Sequence, residues 1–250
     1  MSSFKGPNVV VTGGAKGIGR AIALRFLDEG LDVSIIDNDE DALGRMLGDL
    51  DMRSRAHGYV CDVSDRVAAE RLYDEHLQGT DVLVNNAGGG IDFTVKAPDY
   101  AAWERTLGTN LNGAAYLTSR AAQDMIGRGA QGSIIFINSV HTAQGFKGEA
   151  AYDAAKHGVI GLMRVTALDL APHGIRVNAV SPGGIYPAGR NTDMPLEEVT
   201  ELGKRVPMGR FGTPDEIARV CTFLASDAAS YITGAEIRVD GGLSIRNALF

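Results

Sequence analysis

Short apolar runs alternate with longer stretches in which apolar positions recur every three or four residues, along nearly the whole chain. The runs at 8–12 (NVVVT), 32–37 (DVSIID), 56–63 (AHGYVCDV), 81–85 (DVLVN), 133–138 (SIIFIN), 176–181 (RVNAVS) and 236–239 (EIRV) predict seven strands. Most are continuous rather than alternating in polarity, which suits parallel strands buried on both faces. Helical periodicity fills the gaps. It predicts a helix after the first strand that stops at Gly30, then helices at 39–50, from Ser64 as cap to 78, and at 100–126. Gly108 and Gly113 mark close packing within the fourth. Further helices are expected through 152–170, at 195–204 and at 214–225, the last boxed by Thr213 and Glu216. Strands alternating with helices call for an α/β fold, a doubly wound parallel sheet with helices on both faces, in one domain over residues 1–250. The pattern weakens over 184–212, beyond a strand's carboxyl end, where a substrate lid is expected.

The first strand runs straight into TGGAKGIG, residues 12–19, and a helix. Gly13 permits a tight turn off the strand. Gly17 and Gly19 let backbone approach a pyrophosphate and let the helix pack on the sheet, with Lys16 and Ile18 in the same turn and the helix N-terminus facing the anion. Asp37 ends the second strand about 20 residues on, where a carboxylate accepts hydrogen bonds from ribose hydroxyls. Its charge repels a 2′-phosphate, so NAD is favoured over NADP, although the ammonium of Lys16 pulls the other way.

Tyr152 and Lys156 stand four residues apart and therefore share a helix face. A phenol beside a fixed ammonium has a stabilised anion, so its pKa falls from about 10 toward neutrality and it can exchange protons at working pH. Ser139 precedes the pair on a loop. Taken alone, an ordinary surface Tyr and Lys explain the spacing equally well; beside a dinucleotide turn they become a reaction centre.

Composition narrows the partners. The 24 basic and 31 acidic residues give a net charge of −7, which argues against nucleic acid or an anionic membrane. No apolar run approaches 18 residues, and no cationic segment leads into an apolar one at the start. Cys61 and Cys221 have no metal-ligand spacing and read as buried free thiols of a reducing, cytoplasmic compartment.

Together these motifs resemble the short-chain dehydrogenase/reductase family, of the single-domain Rossmann type, over nearly the full length. TGGAKGIG is similar to its cofactor turn. Asp62 and Val63 resemble the pair whose carboxylate meets adenine. Asn86, Ala87 and Gly88 lie in an NNAG that resembles the motif lining the nicotinamide side. Asn110 in TNLNG, Ser139, Tyr152 and Lys156 match the family's four active-site positions, and Pro182, Gly183 and Ile185 resemble the turn beside the nicotinamide. The resemblance implies Tyr152 as general acid/base, Lys156 as its electrostatic partner and ribose ligand, Ser139 as donor to the substrate oxygen, and Asn110 as holder of a relay water. It also implies a homotetramer, and the apolar tail ending Leu249-Phe250 suits a covered position. One departure stands out: Pro187 occupies the place where the family often has a carboxamide-binding Thr, and Pro has no N–H to donate. Thr192 lies too far along to substitute.

His141, two residues after Ser139, is read either as a pocket residue that binds a sugar hydroxyl or carboxylate or as a histidine bonded to its own loop. Gln144, Lys147, Glu149, Tyr186, Arg190 and Asn191 add polar groups to the same loop and to the lid. An acyl or steroid pocket would show an apolar lid instead. The expected substrate is a small polar hydroxylated molecule (a sugar, polyol or sugar acid), with Ser139, His141, Tyr152 and Tyr186 in contact with it. The alternative is a 3-oxoacyl-(acyl-carrier-protein) reductase using NADPH. A cofactor-binding scaffold without catalysis is a third reading, which the four filled active-site positions disfavour.

Overall fold

The computed structural model describes residues 4–50, 55–188 and 193–246. Seven strands form one parallel sheet: β1 (Asn8–Thr12), β2 (Asp32–Asp37), β3 (Ala56–Val60), β4 (Val82–Asn85), β5 (Ser133–Ile137), β6 (Arg176–Pro182) and β7 (Glu236–Val239). Their order across the sheet is β3-β2-β1-β4-β5-β6-β7. The direction of winding reverses between β1 and β4, which opens a crevice at their carboxyl ends.

Because the central strands are buried on both sides, alternate residues of their apolar runs feed two separate cores. Val9, Val11, Val33, Ile35, Val84 and Ile135 face α1 (Gly17–Asp28) and, late in the chain, α8 (Pro214–Ala225). Val10, Ile36, Leu83, Ile134 and Phe136 face the opposite layer. That layer comprises α3 (Arg66–Leu72), α5 (Gly113–Arg128) and α6 (Ala150–Leu170). The remaining helices are α2 (Glu40–Asp49), α4 (Tyr100–Leu107) and α7 (Leu196–Gly203). The expected capping box of α8 is present: Thr213 and Glu216 each accept from the other's backbone N–H.

Four expectations need correction, the last being the burial of Cys61. The β3 run stops at Val60, because it is an edge strand and residues 61–63 peel away to line the crevice. The cap of α3 is Asp65, which accepts from Ala68 N; Ser64 instead donates to Asp62. The helix predicted at 100–126 is two α segments joined by a π turn, Gly108–Asn112, a widening often found at functional sites. Gly113 is required there, since a Cβ would lie 2.7 Å from the Val63 carbonyl oxygen. Both cysteines are free thiols. Cys221 is buried, whereas Cys61 is only half-buried and lines the crevice. The tail 247–250 and the lid residues Arg190, Asn191 and Thr192 lie outside the described residues.

Candidate active site

The crevice is a cleft of about 1220 Å³ lined from the carboxyl ends of β1, β2, β4, β5 and β6. Its dinucleotide side is made of backbone. Gly13 adopts φ of 60°, and a Cβ there would lie 2.8 Å from Ala87 Cα. Gly19 packs so closely that a Cβ would sit 2.1 Å from the Gly13 carbonyl oxygen. Lys16 occupies the N-cap of α1 without any side-chain cap, so the first N–H groups of the helix face the cleft as anion donors. Asn86 fastens this turn to β4: its Nδ2 donates to the carbonyls of Thr12 and Gly13, both at 2.9 Å. The Thr12 hydroxyl accepts from the N–H groups of Asn86 and Ala87.

Asp37 is buried at the end of β2 and is held from both sides. One carboxylate oxygen accepts from Ala15 N, the other from Asp39 N, each at 3.0 Å. Each oxygen keeps a second lone pair for a ribose hydroxyl. The Lys16 ammonium turns away to Asp39 at 2.7 Å, which holds the Asp39 carboxyl below the usual carboxylate range. Glycine cradle, uncapped helix end and fixed acid together fit a dinucleotide.

On the other side, Ser139 leaves β5, and α6 lays Tyr152 and Lys156 along the cleft wall. Lys156 Nζ lies 5.3 Å from the Tyr152 ring centroid and donates to the Ile137 carbonyl at 2.9 Å. Burial pushes its pKa down to about 8. Ser139 Oγ accepts from His141 N at 3.3 Å. His141 is stacked flat on Phe146, with centroids 3.8 Å apart, and meets the Tyr152 ring edge-on at 4.9 Å. Its Nδ1 is bonded to Asp153, whose other carboxylate oxygen accepts from Phe146 N. Glu236 of β7 steadies the loop base, accepting from Thr142 Oγ1 at 2.6 Å and from Ser181 Oγ at 2.7 Å.

Gly13, Lys16, Gly17, Ile18, Gly19, Asp37, Asp62, Val63, Asn86, Ala87, Gly88, Ser139, His141, Tyr152, Lys156, Pro182, Gly183 and Ile185 all line the one cleft. Two expected residues do not. Asn110 sits behind the wall at the π turn, buried, donating to the Gly89 carbonyl at 2.8 Å and accepting from Gly89 N at 3.2 Å. Tyr186 does not line the cleft; its backbone N–H donates to the Gly212 carbonyl, and Pro187 and Ala188 line the cleft in its stead. Of the polar loop residues, Glu149 reaches the cleft; Gln144 and Lys147 do not.

Sequence reading missed Phe146, Asp153, Phe211 and Leu243. Phe211 and Leu243 arrive from segments remote in sequence, so no local signal marked them. Asp153 is adjacent to Tyr152 and bonded to His141, yet nothing in the spacing pairs the two.

A family model described as enoyl-(acyl carrier protein) reductase matches residues 13–244. The 3-oxoacyl-[acyl-carrier-protein] reductase FabG of Thermotoga maritima is 37% identical over 247 residues, covering 97% of this chain and 99% of that protein. The L-rhamnose 1-dehydrogenase (NAD(P)(+)) of a Sphingomonas species is 36% identical over 256 residues, covering 98% and 99%. The ligand-free aldohexose dehydrogenase of Thermoplasma acidophilum superposes with a TM-score of 0.86 at 35% identity, covering 98% of each chain. With a switch-point cleft built for a dinucleotide and a Tyr-x-x-x-Lys helix on its wall, the chain belongs to the short-chain dehydrogenase/reductase family: an oxidoreductase that acts on CH–OH groups with a nicotinamide cofactor.

Proposed function

We propose that this protein is an NAD-dependent dehydrogenase of small, polar, multiply hydroxylated substrates (sugars, polyols or sugar acids), acting at a secondary or anomeric hydroxyl. The observation that carries the cofactor choice is the charge around the ribose position. Asp37 presents a fixed carboxylate to the cleft, and the one nearby ammonium expected to welcome a 2′-phosphate, that of Lys16, is engaged by Asp39. Like-charge repulsion at that range favours NAD. The substrate class is supported by the polar wall at His141 and by the likeness to the aldohexose and L-rhamnose dehydrogenases.

In this reading Tyr152 takes the proton of the substrate hydroxyl. The buried Lys156, still cationic at neutral pH with a pKa of about 8, stabilises the phenolate that accepts it. One Lys156 proton is committed to Ile137, which leaves two donors for ribose hydroxyls. The Ser139 hydroxyl accepts from His141 N, so its own hydrogen is available to the substrate oxygen. Asn110 holds Gly89 and shapes the wall below Lys156, where the family role of relay-water holder is consistent with its burial. Asp62 and Val63 flank the adenine, and Pro182, Gly183 and Ile185 flank the carboxamide. Nicotinamide supplies the hydride acceptor when bound.

The chain acts as one domain, and we expect a cytoplasmic homotetramer. Val165 and Leu168 are exposed side chains on α6 that a partner copy would cover. The solution mass should be four times the 26.4 kDa chain.

A second reading, NADPH-dependent 3-oxoacyl thioester reduction, draws support from the likeness to FabG and from Phe211 and Leu243 in the cleft. Initial rates discriminate the two. The proposal expects oxidation of at least one aldose, aldonate or polyol, faster with NAD than with NADP. Inertness toward all of them, together with NADPH-dependent reduction of acetoacetyl-CoA, would overturn it.

A further inference from the structure

We infer that His141 is a specificity residue that accepts a hydrogen bond from a substrate hydroxyl neighbouring the reacting one, and that Asp153 is the positioning residue that makes it an acceptor. This inference rests on the polyhydroxylated-substrate reading and names the contact behind it.

The imidazole is fixed on three sides. Phe146 covers one face with its ring tilted by only 18°, Tyr152 meets it at 90°, and Asp153 occupies Nδ1. The carboxylate of Asp153 is itself fixed, because its second oxygen accepts from the Phe146 backbone N–H. A carboxylate only accepts, so the Nδ1 of a neutral imidazole must carry the hydrogen, and Nε2 is left with a bare lone pair. Among the described residues no group bonds to that nitrogen, and the ring lines the cleft. A lone pair there selects a donor, and in an uncharged substrate the donor is a hydroxyl. Since His141 abuts the same Tyr152 ring that receives the reacting hydroxyl's proton, the selected hydroxyl lies on an adjoining carbon. Asp153 and Tyr152 are consecutive on α6, so the same helical turn sets the positions of both contacts.

Histidine replacements separate this role from a purely structural one. His141→Asn keeps a polar atom at the Nδ1 position for Asp153 but has nothing at Nε2. His141→Gln places an amide oxygen near Nε2. The probes are the aldose with the highest kcat/KM in the panel and its 2-deoxy analogue, with NAD saturating. Wild type should favour the parent sugar, and His141→Asn should raise its KM roughly tenfold while moving the deoxy sugar less than about twofold, the scale of one lost hydrogen bond. His141→Gln should recover part of the preference. Asp153→Asn, which can donate to Nδ1 and so leaves a hydrogen on Nε2, should also erode the preference, with kcat for the deoxy sugar retained. If wild type prefers the parent sugar and His141→Asn keeps the preference intact, the inference fails and the substrate reading survives. If wild type oxidises both sugars with no preference, the inference again fails alone; if it oxidises no aldose, aldonate or polyol, both fall.

Discussion

On the dinucleotide side of the cleft the wall is backbone: Gly13 turns with positive φ, Gly19 nestles against it, and α1 presents uncapped N–H groups. On the substrate side the wall is side chains. His141, Phe146 and Asp153 hold one another, with Phe211 and Leu243 brought in from elsewhere. A backbone wall recognises what every dinucleotide shares, a pyrophosphate, and tolerates almost no substitution, while the ribose contacts expected of Asp37 and Lys156 frame it at either end. A side-chain wall can be rebuilt residue by residue without disturbing the sheet. The relatives fit this contrast: proteins named for an acyl thioester, L-rhamnose and aldohexoses share a third or more of this sequence over nearly its whole length.

The contrast can be broken most sharply where the two walls meet. Tyr152→Phe should lower the oxidation rate by roughly 10²- to 10⁴-fold, the range for general acid/base groups, with NADH affinity by fluorescence unchanged. An undiminished rate would remove Tyr152 from the chemistry. Gly19→Ala tests the backbone wall, since its methyl cannot avoid the Gly13 carbonyl. Overpacking of this kind costs about 1–3 kcal/mol, which a urea titration would register alongside weakened NADH binding. A variant as stable as wild type would mean that the cradle is softer than its geometry indicates.

Lys156 gives a third effect, of the same order as the second and with a definite sign. Burial lowers its folded-state pKa from 10.5 to about 8, so between those values the unfolded chain binds more protons. The stability of the cofactor-free protein should therefore rise with pH through that window, and the burial penalty is fully present below pH 8. In Lys156→Met this contribution should vanish, seen as the difference between the two urea-stability profiles. Smallest is Lys16→Ala. Its ammonium is exposed and tied to Asp39, so the NAD-to-NADP preference should shift less than about fivefold. A larger gain in NAD preference would show that Lys16 does reach the 2′ position.

The same contrast explains what could be read before folding. The seven strands and the glycine turn were legible because β-branched runs, fixed glycine spacing and an acid at a set distance are local signals, each dictated by one element. Asn110 was legible as a position but not as a conformation: the π turn that buries it depends on packing against residues 63 and 89, which no periodicity encodes. Of the substrate wall, Ser139, Glu149 and Tyr152 were legible, and so was His141 as a position without its contacts. Its partners lie 5 and 12 residues away on another loop turn and a helix, and Phe211 and Leu243 lie farther still, so their meeting is a property of the assembled sheet. The placement of Tyr186 failed for a related reason. A polar side chain in a lid carries no mark of which way the backbone will turn it.

Glu236 carries a consequence for biosynthesis. The carboxylate that grips Thr142 and Ser181 belongs to the last strand, 94 and 55 residues downstream of the groups it holds. In a growing polypeptide the loop around His141 therefore lacks this anchor until almost the entire chain has been translated. The helix α8, which shares a core with α1 behind the glycine turn, also comes late, so truncation before Pro214 should cost the cofactor cradle its support and truncation before Glu236 should cost the His141 loop its anchor.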